Sequence, residues 1–390
     1  MDISELKKHK FIVMCEEHYT PLGVIRCLGE SGIKPDVIII KSKWNKVASA
    51  SKYIANIYKV NSLEEGYDVL LSNYSNYNPK PFVIPCDDHF TSYLDVRMNV
   101  IKDLFYVSNA YYIPGRITYF QDKININAIA KKYGLNVAKT WVVKNGEIPE
   151  DIEYPVITKT LNSNSGGWKS SYHICNDEAE LHEAYKTIPA ESLFIQRFIK
   201  KKNELCLDGV IIDHGNDYLC MASKYTYVVP EGYSTEFVCS NFSDEPDFAS
   251  LNKSLTGMFK EIGYEGIFSL EFLIDENDKL WFLEENFRSS TWTYVGTRFG
   301  MNFILFWANA MVKGCLPPNA EQRIPEGYKA MAEITDFNRR VLKHRISLKD
   351  WITEYKSCSC YLFYNKYDKR PFFSAIISKT IGLIHDRIHK

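Results

Sequence analysis

The sequence lacks most of the patterns that assign a protein quickly to a class. Its ten cysteines are scattered, and no CxxC pair is matched by a second CxxC or by spaced histidines, so we expect no structural zinc site. No segment approaches the ~20 apolar residues that span a bilayer. Neither sign of charge dominates, because 47 basic residues face 48 acidic ones, for a net charge of -1. The composition therefore gives no reason to expect a nucleic acid as partner.

The beginning of the sequence, MDISELKKHK, has no apolar core of the kind that a secretory signal contains. We therefore expect a cytoplasmic protein whose thiols are reduced. A chain of 390 residues, with 45% hydrophobic and 24% charged residues, is longer than one hydrophobic core usually supports. Two or three domains are expected.

Short apolar runs of the buried-strand type occur in the first third of the chain. The runs KFIVMC (10–15) and DVIIIK (36–41) are separated by a helical stretch, which predicts a βαβ unit. The segment PFVIPCDDHF (81–90) places acidic residues just past a strand, where open α/β sheets bind ligands. Asp87 is a candidate substrate-binding residue, and the alternative is that it only caps a loop. No GxGxxG follows the first strand, which argues against a dinucleotide site.

Further along, the sequence predicts a β-hairpin. The runs IFSLEFLI (267–274) and KLWFLEENF (279–287) flank the turn sequence ENDK. A two-residue turn at Asn277 and Asp278 pairs residues 276 and 279, and counting outward places Glu271 opposite Glu284. Side chains alternate along a strand. The predicted first face holds Leu280, Phe282, Glu284, Asn286 and Arg288, and the second holds Trp281, Leu283, Glu285 and Phe287.

The first of these faces has the composition of a metal–polyphosphate site. Two opposed carboxylates repel each other by roughly 0.2–1 kcal/mol, and a divalent cation between them reverses the sign of the interaction. Mg²⁺ binds one or two carboxylates together with phosphate oxygens and waters. Asn286 adds an amide oxygen, and Arg288 adds a forked donor for an anion. The alternative is a surface salt bridge between Glu284 and Arg288.

A glycine-containing loop precedes the hairpin. Lys159 ends an apolar strand, and Gly166 and Gly167 follow in the loop SNSGGWKS. Exposed backbone N–H groups and a lysine suit phosphates, although the Walker A pattern GxxxxGK[ST] is absent. An ordinary turn is the alternative.

Five segments in this order resemble the ATP-grasp superfamily of carboxylate–amine and carboxylate–thiol ligases: QDK, YPVITK, LFIQRFI, SLEFLID and FLEENFR. The resemblance covers roughly residues 119–310. It implies an α/β and α+β fold, with a Rossmann-like pre-ATP-grasp domain (1–118) ahead of a two-lobed ATP-grasp domain (119–320). The lid subdomain would span about 140–198. A C-terminal extension (321–390) would pack on the ATP-grasp core.

The resemblance also implies roles for individual residues. Lys123 and Lys159 would contact the ATP phosphates, and Glu204 would contact the ribose. The remaining ATP-binding residues would be Gly166 and Gly167 in the loop and Gln196, Arg197, Phe198 and Ile199 in the hinge. Glu271, Glu284 and Asn286 would hold Mg²⁺ (or Mn²⁺). Arg288, with Lys159, would act in catalysis by stabilising the transferred phosphoryl group.

The implied reaction activates a carboxylate as an acyl phosphate and joins it to an amine, with release of ADP and phosphate. The sequence is similar to D-aspartate ligase-like and carbamoyl-phosphate-synthase-like members of the superfamily. It departs from the family pattern by having only two glycines in the loop, Gln196 in place of an acidic residue, and Phe287 in place of a proline. A non-catalytic ATP-binding protein and another chemistry, such as carboxylation, are the alternatives.

Small-molecule carboxylate and amine substrates are the expected partners, and a homodimer is left open. Arg298 is a second candidate for binding the substrate carboxylate, against the alternative of a structural ion pair. The final segment, RPFFSAIISKTIGLIHDRIHK, has isoleucines at helical spacing. We expect it to pack on the body of the protein, and the alternative is weak contact with a membrane surface.

Overall fold

The computed structural model describes residues 1–42, 46–159, 172–188, 190–229 and 234–388. In these residues the chain forms three β-sheets with helices packed between and around them. The predicted mixture of α/β and α+β structure is confirmed. The domain boundaries at residues 118 and 320 stay a prediction.

The first sheet is parallel and has the strand order β3-β2-β1-β4-β5. Its strands are β1 (Phe11–Cys15), β2 (Asp36–Ile40), β3 (Ile57–Val60), β4 (Phe82–Pro85) and β5 (Tyr106–Val107). The accompanying helices are α1 (Tyr19–Gly29), α2 (Leu63–Tyr74), α3 (Asp88–Asp95) and α4 (Met98–Ile101). Every residue of β1 is buried, as expected for a central parallel strand covered on both faces. The predicted βαβ unit is therefore confirmed.

A short connection leads from this sheet to a second one. It contains β6 (Asn109–Ala110), α5 (Arg116–Gln121) and α6 (Lys123–Lys132). The second sheet is antiparallel, in the order β7-β10-β8-β9. It consists of β7 (Thr140–Lys144), β8 (Val156–Lys159), β9 (His173–Cys175) and β10 (Ser192–Arg197), with α7 (Glu178–Thr187) packed against it. Leu181 of α7 and Leu193 of β10 share a small core that is separate from the other cores.

The third sheet is the largest, with the order β15-β14-β11-β12-β13-β16-β17 and with β6 paired to β14. Its first strands and helices are β11 (Lys201–Ile212), β12 (Asp217–Tyr225), β13 (Glu236–Asn241), α8 (Phe248–Ile262), β14 (Tyr264–Asp275), β15 (Leu280–Asn286), α9 (Thr293–Arg298) and α10 (Phe303–Lys313). One core lies between this sheet and α8, and another joins α10 to α1 of the first sheet. The first and third sheets are thereby packed into one body.

The C-terminal segment completes the third sheet. It contains β16 (Lys329–Met331), α11 (Glu333–Asp336), a π-helical turn (Phe337–Val341), α12 (Leu348–Ser357), β17 (Cys360–Tyr361) and α13 (Arg370–Ile388). The fully buried Arg26 of α1 donates to Asp368 at 3.2 Å and to the carbonyls of Leu362 and Phe363 at 2.7 and 2.8 Å. A buried charge with this many partners fixes the C-terminal segment against the N-terminal sheet.

The last helix packs on the protein through part of its surface. Ala375 is buried in the largest core, whereas Phe373, Ile376 and Ile377 are exposed. Among the described residues, no helix is both long enough and apolar enough to cross a membrane.

Candidate active site

A cavity of about 830 Å³ lies between the second and third sheets. Ile157 and Phe194 line it from the second sheet, and Leu273 lines it from the third. Its far end reaches the loops that follow β1 and β4 of the first sheet, where Glu16 and Asp87 lie. All three sheets therefore contribute residues to one pocket.

The floor of the pocket is the hairpin formed by β14 and β15. Glu271 lies opposite Glu284, and Ser269 lies opposite Asn286, so the predicted register is confirmed. The predicted turn is wrong, however. Residues 275 and 279 pair, which makes the turn one residue longer than expected. The Asp275 carboxylate explains the difference, because it accepts the backbone N–H groups of residues 277 and 279 at 2.9 and 3.0 Å.

A β-bulge restores the register that the longer turn would have shifted. Phe272 pairs with Phe282 and Glu271 pairs with Glu284, which leaves Leu283 as the extra residue on β15. If the ladder were regular, with no bulge, the longer turn would place Leu283 opposite Glu271. The two departures from a simple hairpin cancel at the position that matters for the site.

The bulge also corrects part of the predicted face assignment. Glu284, Asn286 and Arg288 do line the pocket. On the outer side of the bulge the assignment changes, since Trp281 and Leu283 line the pocket and Leu280 packs against the core of the third sheet. Phe282 belongs to that core and also borders the pocket. A bulge presents two consecutive side chains to the same side, which changes the phase of the alternation at this point.

The residues predicted to hold a metal lie side by side. Burial, and after it the neighbouring Glu284, raises the pKa of Glu271 well above its ordinary value. Asn286 Nδ2 lies 3.5 Å from Glu284 Oε1, which leaves its amide oxygen directed elsewhere. In the described part of the chain, no group of three or more His, Cys, Asp or Glu side chains is arranged as a metal site. Two carboxylates and one amide oxygen fit Mg²⁺ provided that phosphate oxygens and waters complete its coordination.

Arg288 connects this row to the first sheet. Its Nε and Nη2 donate to the two carboxylate oxygens of Asp88 at 2.7 and 3.0 Å, and Nη2 also donates to Asn286 Oδ1 at 2.9 Å. Burial alone would lower the pKa of Arg288, but Asp88, Glu284 and Glu271 raise it, so the guanidinium stays charged. The alternative considered for this row, a salt bridge between Glu284 and Arg288, is not formed. The partner of Arg288 is Asp88, which is 200 residues away in sequence.

The described residues among those predicted to bind ATP line the same pocket. Lys123, the first residue of α6, lines it. The hinge residues Gln196, Arg197, Phe198 and Ile199 also line it, together with Glu204. Lys201 donates to Glu204 within this wall. Lys159 is the last residue of β8, but its side chain lies outside the described part of the structure, as do Gly166 and Gly167.

The two predicted substrate residues have different outcomes. Asp87 lines the pocket and also caps α3, since one carboxylate oxygen accepts the N–H of Phe90 at 2.8 Å. Arg298 is not among the residues lining the pocket. It forms an ion pair with Glu30 at 3.1 Å, which is the structural alternative considered for this residue.

Several pocket residues were missed by the sequence reasoning. Glu16 and His18 come just after the carboxyl end of β1, as Asp87 comes just after the carboxyl end of β4. The rule that ligands bind at the carboxyl ends of parallel strands would have found them. Ser290 and Trp292 follow Arg288 and had no comparable signal.

Comparison with known proteins agrees with this arrangement. Residues 122–298 match the family described as "Carbamoyl-phosphate synthase L chain, ATP binding domain". The L-amino acid ligase from Bacillus licheniformis has a similar structure, with a TM-score of 0.61 and 14% identity, covering 82% of this chain and 78% of that one. The N5-carboxyaminoimidazole synthetase from Staphylococcus aureus gives a TM-score of 0.63 and 14% identity, covering 86% of this chain and 85% of that one.

The similar structures agree with the ATP-grasp fold that the sequence predicts, and the match to the ATP-binding domain family covers residues 122–298. The second and third sheets face each other across the pocket. Among curated proteins, the propionyl-CoA carboxylase alpha chain of Ruegeria pomeroyi is 23% identical over 187 residues, which are 45% of this chain. Those residues make up 27% of that relative, so the chain spans about a quarter of its length.

Proposed function

We propose that the protein is an ATP- and Mg²⁺-dependent ligase that activates a carboxylate as an acyl phosphate and joins it to an amine. The observation that carries this proposal is the row formed by Glu271, Glu284, Asn286 and Arg288 on the floor of a pocket between two ATP-grasp lobes. Phosphoryl transfer depends on positioning and charge neutralisation, and this row supplies both.

The pocket can hold ATP with its adenine near the hinge and its phosphates near the row of charged residues. The adenine would lie against the apolar residues Ile157, Phe194 and Leu273, next to the hinge. The phosphates would extend from there toward Arg288 at the centre of the pocket. Arg288 stabilises charge on the transferred phosphoryl group and on the acyl phosphate.

Glu271, Glu284 and Asn286 would hold Mg²⁺, which neutralises charge on the ATP phosphates when it is bound. In the absence of a cation the two opposed glutamates destabilise each other, which agrees with the raised pKa of Glu271. The second sheet forms one wall of the pocket, where it would reduce contact of the acyl phosphate with water. This matters because an acyl phosphate that meets water hydrolyses instead of reacting with the amine.

A screen for phosphate release tests the proposal. ATP and Mg²⁺ are supplied with amino acids and other carboxylates, each with and without a panel of amines, and inorganic phosphate and ADP are measured. We expect release that requires one carboxylate and one amine. Tight ATP binding with no turnover for any pair would instead identify a non-catalytic ATP-binding protein.

Carboxylation is the second candidate function, because the curated relative and one of the similar structures are named for carboxylation chemistry. It is distinguished by a requirement for bicarbonate. If bicarbonate is removed by degassing and phosphate release continues with a carboxylate and an amine, carboxylation is excluded.

Other properties stay predictions. A cytoplasmic location agrees with ten cysteines that are all free thiols. A homodimer and weak contact of α13 with a membrane surface also stay predictions.

A further inference from the structure

We propose that the amine substrate binds at the far end of this pocket, between Asp87 and Ser290. This inference rests on the ligase function proposed above and assigns the amine to a particular set of residues. The carboxylate, as its acyl phosphate, would then lie between the amine and ATP, next to Arg288.

Asp87 offers an acceptor that the protein itself does not use. Its Oδ1 accepts the N–H of Phe90 at 2.8 Å, which caps α3. Its Oδ2 is buried and has no hydrogen-bond partner among the described residues. A buried acceptor without a donor is unfavourable, so a ligand that supplies an N–H donor at this point is favoured. Burial raises the pKa of Asp87 to about 6, so the carboxylate is charged at neutral pH.

Ser290 is restricted to accepting a hydrogen bond from a ligand. Its hydroxyl donates to Asp208, a completely buried residue of β11, and its oxygen accepts the backbone N–H of Trp292 at 2.9 Å. A hydroxyl has one proton and two lone pairs, and the proton and one lone pair are therefore already used. Because Ser290 lines the pocket, we assign this remaining lone pair to a ligand. A donor such as an amine N–H satisfies it, whereas a carboxylate oxygen does not.

The charges on this wall favour the same ligand. Glu16 and Asp87 both line it, and they lie close enough for Glu16 to raise the pKa of Asp87. Arg288, the guanidinium on this side of the pocket, is already paired with Asp88. An incoming carboxylate would be repelled by this wall, and an ammonium group would be attracted to it.

The central experiment compares Asp87→Asn with Asp177→Asn. Asparagine caps helices as well as aspartate does, so the first variant keeps the cap of α3 and removes the charge. Asp177 caps α7 by the same contact, to Glu180 N–H at 2.9 Å, and is the matched control outside the pocket. The amines tested are the twenty amino acids, methylamine, ethanolamine and putrescine. Turnover with each amine is measured as the release of inorganic phosphate.

Hydroxylamine separates the two stages of the reaction. It traps an acyl phosphate as a hydroxamate, and as a small nucleophile that is neutral at pH 7.5 it does not need an ammonium site. We expect Asp87→Asn to raise the KM for the amine by at least about tenfold. Hydroxamate formation and the KM for ATP should change little, and Asp177→Asn should resemble the wild type in all three.

Ser290 gives a second, independent readout. Ser290→Ala should raise the KM for the amine, while Ser290→Thr, which keeps the hydroxyl, should restore it. The melting temperature of both variants is measured because Asp208 loses its donor in the first. If Ser290→Thr raises the KM for the amine as much as Ser290→Ala does, or if the KM rises only in a variant whose melting temperature has fallen, the role given to Ser290 is contradicted.

The outcomes distinguish this inference from the proposed function. If wild-type protein forms no hydroxamate with any carboxylate, the ligase function is wrong. If hydroxamate forms but no amine of the panel either releases phosphate or competes with hydroxylamine, the amine site is wrong. It is also wrong if an amine reacts and its KM is unchanged in Asp87→Asn.

Discussion

Glu284 and Glu285 are neighbours in the sequence and have opposite surroundings. Glu284 faces the pocket, opposite Glu271 and beside Asn286. Glu285 points into the protein, is only 7% exposed, and neither of its carboxylate oxygens has a hydrogen-bond partner among the described residues. Burial raises the pKa of Glu285 well above its ordinary value. The same residue type is thus suited to metal binding on one face of a strand, and on the other it is a buried acid without a hydrogen-bond partner among the described residues.

Single-residue deletions should separate the two faces most strongly. Deleting Glu285 moves Asn286 and Arg288 to the core face of β15, so we expect turnover to be abolished. Deleting Leu283 removes only the bulge and leaves Glu271 opposite Glu284, so phosphate release should persist. Both variants are assayed for phosphate release and for folding by circular dichroism. Loss of activity in the Leu283 deletion, with the fold intact, would show that the bulge is required for more than register.

Substitution of the two glutamates makes the comparison directly. Glu284→Gln should reduce turnover by more than about a hundredfold, because it removes a carboxylate ligand of the Mg²⁺ that would neutralise the ATP phosphates. Glu285→Gln should keep most of the activity. The measurement is ATP-dependent phosphate release at several Mg²⁺ concentrations. An equal loss from both substitutions would mean that the assignment of the faces is wrong.

Two arginines test whether position in the pocket decides the effect. Arg288→Lys should lower kcat by about a hundredfold, because lysine cannot reproduce the forked geometry. Arg298→Lys lies at the ion pair with Glu30 and should have little effect on kcat. Steady-state kinetics with saturating substrates distinguishes them. If Arg298→Lys instead raises the KM for the carboxylate, the original assignment of Arg298 to the substrate is restored.

The smallest expected effect concerns stability. Below pH 4.5, the ordinary pKa of a glutamate, Glu285 is protonated in both the folded and the unfolded protein. As the pH rises above this value the unfolded state loses the proton while the folded state retains it, so the free energy of unfolding falls. Glu285→Met should therefore raise the free energy of unfolding at pH 8 by about 1–3 kcal/mol and reduce its dependence on pH.

Urea denaturation at pH 5 and pH 8 measures this change. The exposed Glu183→Gln on α7 is the control and should follow the wild type at both pH values. A Glu285→Met variant that is less stable than the wild type at pH 8 would show that Glu285 has a partner that favours its presence.

The sequence was sufficient for the parts of the site that depend on local periodicity. The buried strands of the first sheet follow from their apolar runs. The opposition of Glu271 and Glu284 was predicted from a two-residue turn, and it holds because the longer turn and the bulge at Leu283 cancel. The turn at Asp275 was wrong because a side chain there stabilises a longer loop, and the bulge at Leu283 has no marker such as glycine in the sequence. The pairing of Arg288 with Asp88 joins residues that are 200 positions apart, so only the packing of the sheets reveals it.

That pairing has a consequence for ligand binding. Asp88 occupies the edge of the Arg288 guanidinium that Nε and Nη2 form, and Nη1 donates to the carbonyl of Ser289 at 3.3 Å. An anion that binds Arg288 must therefore either displace Asp88 or share the guanidinium with it. The exchange is unfavourable for a single weak anion and is offset when several phosphate oxygens and a cation arrive together. Displacement would also release one contact between the first and third sheets. Occupancy of the pocket and the cohesion of the two halves of the molecule are therefore in competition for the same side chain.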